Sequence, residues 1–370
     1  MKYIIMLDEK FIDYGKYELE SILKSEIIFK KISNKLFIFE SEKDISKDYS
    51  FIVIEGLIKV VELGKFPPNA IDYTKITNAI EGMIDRQHSF KIEAINADFH
   101  NEQSSKDIAV KIGSALESKG YRPDLKHPKL YFYIFFTNLG IYFGVLQSDY
   151  AINIDAFRST EKSKISRAQF KLKEALKYFA IETDEIKTVL DIGAAPGGWT
   201  LEMLTRNAKV IAVDNALLSY QFFFQSNKKC VIFSDEKIDI HDKNNNSNNA
   251  EILPLSKIND TLNESFDLYH IKQNINNLDI NHINNLNKSI DLLMIDMNIE
   301  PKESVQQAIK LIKFLKAHAK LIMTIKLFNN ENIKKYIKNV NEALNKYYDI
   351  IKIKKLPHNR DELTLFAILK

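Results

Sequence analysis

The chain has 370 residues, of which 45% are apolar and 27% charged, and a formal net charge of +3. That composition is ordinary for globular proteins, long enough for two or three domains with their own cores, and it excludes a chain disordered throughout. A single cysteine, Cys230, excludes internal disulfides and a cysteine-built zinc site; the eight histidines show no paired metal spacing, and no apolar run approaches the length a bilayer demands. A reducing, cytoplasmic setting with no membrane partner is expected. Residues 1–68 read as a small α/β module, with strands over 3–7, 35–39 and 51–54, a helical pattern over 14–23, and a close at Phe66-Pro67-Pro68. Residues 69–150 read as a second module: a helix near 70–84, a strand over 89–94, a helix over 104–119, then paired strands over 130–137 and 141–146 around Asn138-Leu139-Gly140.

Residues 151–186 form a linker and a basic helix over 167–179. Seven Lys/Arg stand against two acids over 158–177, and thirteen lysines against four acids over 302–355, an excess suited to a polyanion such as RNA. From 187 to 370 strand and helix alternate, as a mostly parallel sheet requires, with strands over 188–191, 210–214, 290–296, 320–326, 350–354 and 363–368. No helix separates the last two, so they return antiparallel. Residues 222–289, with Asn244-Asn245-Asn246-Ser247-Asn248-Asn249, read as a polar, low-complexity insertion or an enlarged loop region.

The most informative segment is Asp191-Ile192-Gly193-Ala194-Ala195-Pro196-Gly197-Gly198-Trp199-Thr200, which joins an apolar strand to a helix. Its small residues allow a bulky ligand to lie against backbone. The glycines follow neither the pyrophosphate pattern Gly-x-Gly-x-x-Gly nor a Gly-Lys-Ser/Thr ending, which argues against NAD and ATP. Asp214 ends the next apolar run, at the place of a carboxylate that accepts from ribose hydroxyls. Adenosine without phosphates fits best, and the expected cofactor is S-adenosylmethionine. Trp199 is read chiefly as core packing beneath the loop.

Four more residues fall at element edges facing this turn. Asp296 ends the run Leu292–Ile295 and Lys326 ends Leu321–Ile325; Glu362 begins the antiparallel last strand, and Lys171 lies on the basic helix. A ribose 2'-hydroxyl is a poor nucleophile, so methyl transfer to it requires a base and in-line positioning. Lys326 is assigned as the base, on the expectation that burial and a second cation lower its pKa, with Asp296 and Glu362 orienting the lysines and Lys171 tuning the charge.

The motifs Ser166-Arg167-Ala168-Gln169-Phe170-Lys171-Leu172, Asp191 to Trp199, Asp296-Met297, Ile325-Lys326-Leu327-Phe328 and Arg360-Asp361-Glu362-Leu363 resemble those of the FtsJ/RrmJ ribosomal RNA 2'-O-methyltransferases. The layout is most similar to the branch that methylates a cytidine of large-subunit ribosomal RNA. This resemblance implies a Rossmann-like α/β methyltransferase domain with an antiparallel last strand, and a catalytic Lys171, Asp296, Lys326, Glu362 set. It also implies a cofactor site at Asp191, Gly193, Ala194, Ala195, Pro196, Gly197, Gly198, Trp199, Asp214 and Asp296, with Asn274 at the adenine edge, where Gln273 and Asn274 stand near the place of an acidic residue. The partner it implies is a structured RNA, ribosomal first and transfer RNA second. Ser89–Ala94, Ser104-Ser105, Ile112-Gly113, Pro128 and Ile141–Gly144 resemble, in their order, a THUMP RNA-binding domain over 69–150. Two other enzyme classes fit less well. Methylation of a base nitrogen would place an Asn/Asp-Pro-Pro-Tyr/Phe loop where Asp296-Met297-Asn298-Ile299 stands, and C5 methylation needs a cysteine nucleophile near a strand tip. A non-catalytic RNA-binding protein would have no use for two lysines held beside two acids.

Overall fold

A computed structural model describes every residue except 46–48, 66–70, 98–102, 151, 153–164, 221–222, 224–227, 239–249, 263 and 329–332. Two compact units divide the chain, Met1–Arg158 and Ser159–Lys370. The Pro67-Pro68 boundary and the Asn244–Asn249 run lie outside the described residues.

In the first unit, strands β1 (Lys2–Met6), β2 (Lys30–Ser33), β3 (Leu36–Glu40), β4 (Gly56–Gly64), β5 (Ser89–Ala97), β6 (Arg122–Pro123), β7 (Leu130–Thr137) and β8 (Gly140–Gln147) form one sheet in the order β2-β3-β1-β4-β8-β7-β5-β6. β4 pairs antiparallel with both β1 and β8, so the sheet is continuous across the segments expected at 1–68 and 69–150. Helix α1 (Ile12–Leu23) belongs to the first segment. Helices α2 (Tyr73–Glu81) and α3 (Ser105–Ser118) bury Ile76, Ile80, Ile108, Ile112 and Leu116 in a cluster with Phe90, Phe132 and Ile134 of the sheet. The Ser104 side chain caps α3 by accepting from the Asp107 N–H.

The expected strand at 51–54 is not one. The buried Glu18 carboxylate accepts from the backbone N–H groups of Ile52 and Val53, satisfying donors that a ladder would otherwise use. The pairing strand is β4, whose exposed Lys59, Val61 and Glu62 interrupt its apolar pattern.

The second unit holds β9 (Thr188–Ile192), β10 (Lys209–Asp214), β11 (Cys230–Phe233), β12 (Ala250–Leu253), β13 (Leu268–Lys272), β14 (Ile290–Ile295), β15 (Leu315–Lys326), β16 (Tyr348–Lys354) and β17 (Glu362–Leu369), in the order β12-β11-β13-β10-β9-β14-β15-β17-β16. β17 runs antiparallel between β15 and β16, and every other pairing is parallel. The supposed insertion therefore supplies three sheet strands. Strands buried on both faces show no alternation, and runs as short as Cys230-Val231-Ile232-Phe233 are lost among asparagines.

β9 lies between β10 on one side and β14 on the other, so the chain reverses its direction of sheet growth at the β9/β14 boundary. The crevice outside the carboxyl ends of such strands is where open α/β sheets bind ligands. Leu292, Leu293, Met294 and Ile295 are all 0% exposed. Each such side chain is worth about 1.5–3 kcal/mol of burial, more than a single polar contact at a strand tip, so the core fixes where the tips sit. Around the sheet lie α4 (Ala168–Tyr178), α5 (Gly198–Leu204), α6 (Pro301–Lys310) and α7 (Ile333–Leu344). No helix among the described residues is long and apolar enough to cross a membrane.

Candidate active site

The loop from β9 to α5 lies at the β9/β14 boundary. Gly193 (φ +76°) and Gly197 (φ +107°) are left-handed, a conformation costly for residues with a Cβ. A Cβ on Gly193 would sit 2.8 Å from the Asp296 carbonyl oxygen and 2.6 Å from Met297 Cγ, and one on Gly197 would sit 2.7 Å from the Phe223 ring. A Cβ on Gly198 would meet Ser166 Oγ at 2.5 Å. The glycines are thus required first by close packing of the loop on the β14 tip and on the residues leading into α4. The Gly193 and Ala194 N–H groups donate to Val213 O, Ala195 N–H donates to Asp214 Oδ2 at 3.0 Å, and Pro196 O accepts from Ser219 N–H. Asp214 therefore already shapes the loop, while remaining half-exposed at the tip of β10.

Asp191 is 1% exposed. Its Oδ2 accepts from Thr200 Oγ1 at 2.6 Å, and its Oδ1 is buried with no hydrogen-bond partner. Burial first, and then repulsion from Asp296 and Asp214, push its carboxyl up to about 7 against the Thr200 hydrogen bond. An unpartnered carboxylate oxygen under a glycine loop, with a second acid at the next strand tip, suits a ligand carrying positive charge and hydroxyl donors. S-adenosylmethionine has both.

Lys171, Asp296, Lys326 and Glu362, 191 residues apart at the extremes of sequence, close into a ring. Lys171 Nζ lies 2.7 Å from Asp296 Oδ2 and 2.8 Å from Glu362 Oε1; Lys326 Nζ lies 3.0 Å from Asp296 Oδ1 and also bonds Glu362 Oε2. Their side chains are only 7–16% exposed. The β15/β17 register places Lys326 directly opposite Glu362, and Thr324 Oγ1 adds a 2.9 Å hydrogen bond to Asp296 Oδ1. Asp296 N–H bonds Ile192 O, one residue before Gly193, so the ring abuts the loop.

Gathering four charges in a buried place is not explained by stability, because apolar replacements of such sets are often neutral or stabilising. Burial opposes ionisation of Asp296, yet Lys171 and Lys326 outweigh it and hold the carboxyl below the usual aspartate range. Burial likewise works against the charge on Lys326, but Asp296 and Glu362 overcome it and hold the ammonium above the usual lysine range. The lowered lysine expected from sequence is therefore not found in the free protein. Two carboxylates in contact outweigh both burial and a second cation.

The core packing expected of Trp199 is found, whereas Asn274 departs from its expected place. Trp199 is 3% exposed and packs in the core with Val189, Ala194 and Leu201, beneath the loop and not along its open side. Asn274 is exposed just past β13, and its Oδ1 accepts from Asn276 N–H, which uses the side chain in its own turn. The neighbouring Gln273 keeps a buried, unpartnered Oε1 at the same strand tip, and is the better-placed polar group there. Cys230 is fully buried at the start of β11, where burial pushes its thiol up, in keeping with an inert core residue.

Three relatives frame these observations. An uncharacterised protein of Methanocaldococcus jannaschii is 27% identical over 205 residues, covering 54% of this chain and 46% of the relative. The ribosomal RNA large subunit methyltransferase M of Histophilus somni is 24% identical over 222 residues, covering 56% of this chain and 58% of the relative. The enzyme of the same name from Laribacter hongkongensis is 50% identical over 56 residues, 14% of this chain and 16% of the relative. The chain thus spans about half the length of the first and second of these relatives. A family model described as FtsJ-like methyltransferase matches residues 165–362, from the entry into α4 to the first residue of β17, and so takes in the loop and all four ring residues. The chain belongs to the FtsJ-like methyltransferase family, and its cofactor is S-adenosylmethionine.

Proposed function

We propose that the protein methylates the ribose 2'-hydroxyl of RNA, with a cytidine of large-subunit ribosomal RNA as the leading target, and that Lys326 is the general base. The observation that carries this reading is the closed Lys171–Asp296–Lys326–Glu362 ring against the glycine loop. The names of the relatives from Histophilus somni and Laribacter hongkongensis support a ribosomal RNA substrate. In this reading residues 69–150 serve as a THUMP-like RNA-binding module.

Asp191 and Asp214 would hold the cofactor's charged and hydroxyl groups, with the 193–198 backbone beneath it and Gln273 at the adenine edge. S-adenosylmethionine, when bound, supplies a methyl group activated by a sulfonium. Once neutral, Lys326 would accept the 2'-hydroxyl proton, leaving an oxygen able to displace the donor's thioether from the methyl group. Asp296 and Glu362 keep the Lys326 ammonium nitrogen aimed into the site, and Lys171 balances their charge and positions the hydroxyl. Because the carboxylates hold Lys326 protonated at rest, the ring must lose a proton before it can act.

Two measurements test this. Nuclease digestion and mass spectrometry of ribosomal and transfer RNA treated with the protein and S-adenosylmethionine are expected to reveal 2'-O-methylcytidine from large-subunit RNA. A methylated base in its place would overturn the reading, and methylated transfer RNA alone would replace the target. The kcat/KM for RNA, which reports groups of the free enzyme, is expected to rise about tenfold per pH unit through neutrality, with no plateau below the ordinary lysine value of 10.5. Glu362→Gln removes one of the carboxylates that raise Lys326, so the residual activity of that variant should level off at lower pH.

A further inference from the structure

We infer that Glu174 is a positioning residue, which grips His358 and thereby sets the spacing between Lys171 and Glu362. The inference rests on the catalytic reading of the four-residue ring. Glu174 lies one helical turn after Lys171 on α4, and Phe170 is its i−4 neighbour on the same face. Its Oε2 accepts from the His358 backbone N–H at 2.9 Å. Its Oε1 stands 2.7 Å from His358 Nδ1, a close contact made outside hydrogen-bond direction. The His358 ring stacks on Phe170 with centroids 5.2 Å apart. One carboxylate and one aromatic ring of α4 thus hold both the backbone and the side chain of a single residue.

What is gripped is a stiff segment leading to Glu362. Asn359, 4% exposed, accepts on Oδ1 from Leu356 N–H at 2.8 Å and from Thr364 Oγ1 at 3.0 Å, which turns its Nδ2 towards Glu362 Oε1 at 3.4 Å. Its carbonyl accepts from the buried Lys355 ammonium at 2.6 Å. A pull at His358 therefore moves Glu362 with it. Lys171 ends a flexible four-carbon stem, so its geometry with the two acids is set by how α4 and this segment are held. Leu172, Ala175 and Leu176 bury the opposite side of α4, so the helix keeps its seat without Glu174.

The test is single-turnover methyl transfer to an unmodified large-subunit ribosomal RNA transcript at saturating S-adenosylmethionine. Glu174→Ala is expected to slow the step about tenfold, with dissociation constants for RNA and S-adenosylmethionine within twofold of wild type and little change in melting midpoint. Glu174→Gln should recover most of the rate, because its amide oxygen still accepts from His358 N–H. In a Lys171→Ala background Glu174→Ala should cost much less, since the spacing between Lys171 and Glu362 no longer matters there. A wild-type rate for Glu174→Ala, or the same fold loss in both backgrounds, would overturn the inference while leaving the ring's role intact. A wild-type rate for Lys171→Ala alone would instead overturn the reading of the ring, and this inference with it.

Discussion

Lys326→Ala is expected to slow methyl transfer by about 10²–10⁴-fold in single turnover, the usual range for a lost general base, with cofactor affinity nearly unchanged. Alanine also leaves Asp296 and Glu362 buried with one cation fewer, which costs roughly 3 kcal/mol of stability. Lys326→Arg is the sharper variant. Arginine keeps a positive charge between the two carboxylates, yet it does not deprotonate in proteins. If the ring needs only charge at this position, arginine restores the rate. If it needs a proton acceptor, arginine is as slow as alanine, and its pH profile is flat where that of the wild type climbs. Rapid-quench measurement of radiolabelled methyl incorporation at pH 7 and pH 9 separates these outcomes. Wild-type behaviour of the arginine variant at both would remove Lys326 from the base role.

The strand tips were legible because parallel strands buried on both faces end abruptly in a polar residue. Asp296 follows Leu292–Ile295 and Lys326 follows Leu321–Ile325, each with no intervening alternation. The absence of a helix between the last two strands called for an antiparallel return, and that return is what sets Glu362 opposite Lys326. The place of Lys171 on the basic helix before β9 is legible, but its contacts depend on how α4 packs, which no periodicity reports. In the 222–289 region composition hides structure. Asparagines set its character, whereas three runs of four or five residues, Cys230–Phe233, Ala250–Leu253 and Leu268–Lys272, set its fold. The charge on Lys326 is hidden from sequence for a different reason. Its sign depends on two carboxylates being in contact at once, a balance of distances that residue types alone do not carry. The same holds for Gln273 over Asn274, where one residue turns inward and the other spends its side chain on a local turn.

Asp191→Asn is expected to weaken S-adenosylmethionine binding by about 10–100-fold and, above neutrality, to make the free protein more stable. Both effects follow from burying a carboxylate with one oxygen unpartnered between two other acids. With its folded-state pKa near 7, against an ordinary value of 3.8, the folded chain holds this proton more tightly than the unfolded chain does. Stability therefore falls as pH rises from about 4 to about 7, and the whole loss is present above that window. Three units correspond to about 4 kcal/mol as an upper bound, and relaxation leaves something on the order of 2–4 kcal/mol. Asparagine keeps the size and the acceptor for Thr200 without the charge. Its melting midpoint should exceed that of the wild type by about 5–10 °C at pH 8 and by much less at pH 5, given 2–4 °C per kcal/mol for a domain of this size. Calorimetric titration should show wild-type affinity for the cationic cofactor rising from pH 6 to pH 8 as Asp191 ionises, and affinity of the variant staying level. Equal stabilisation at both pH values would mean the gain came from packing, and a pH-independent wild-type affinity would mean Asp191 does not meet the cofactor's charge. If both hold, the site is built at the expense of the fold, and the cation that enters the loop relieves the repulsion that its acids impose.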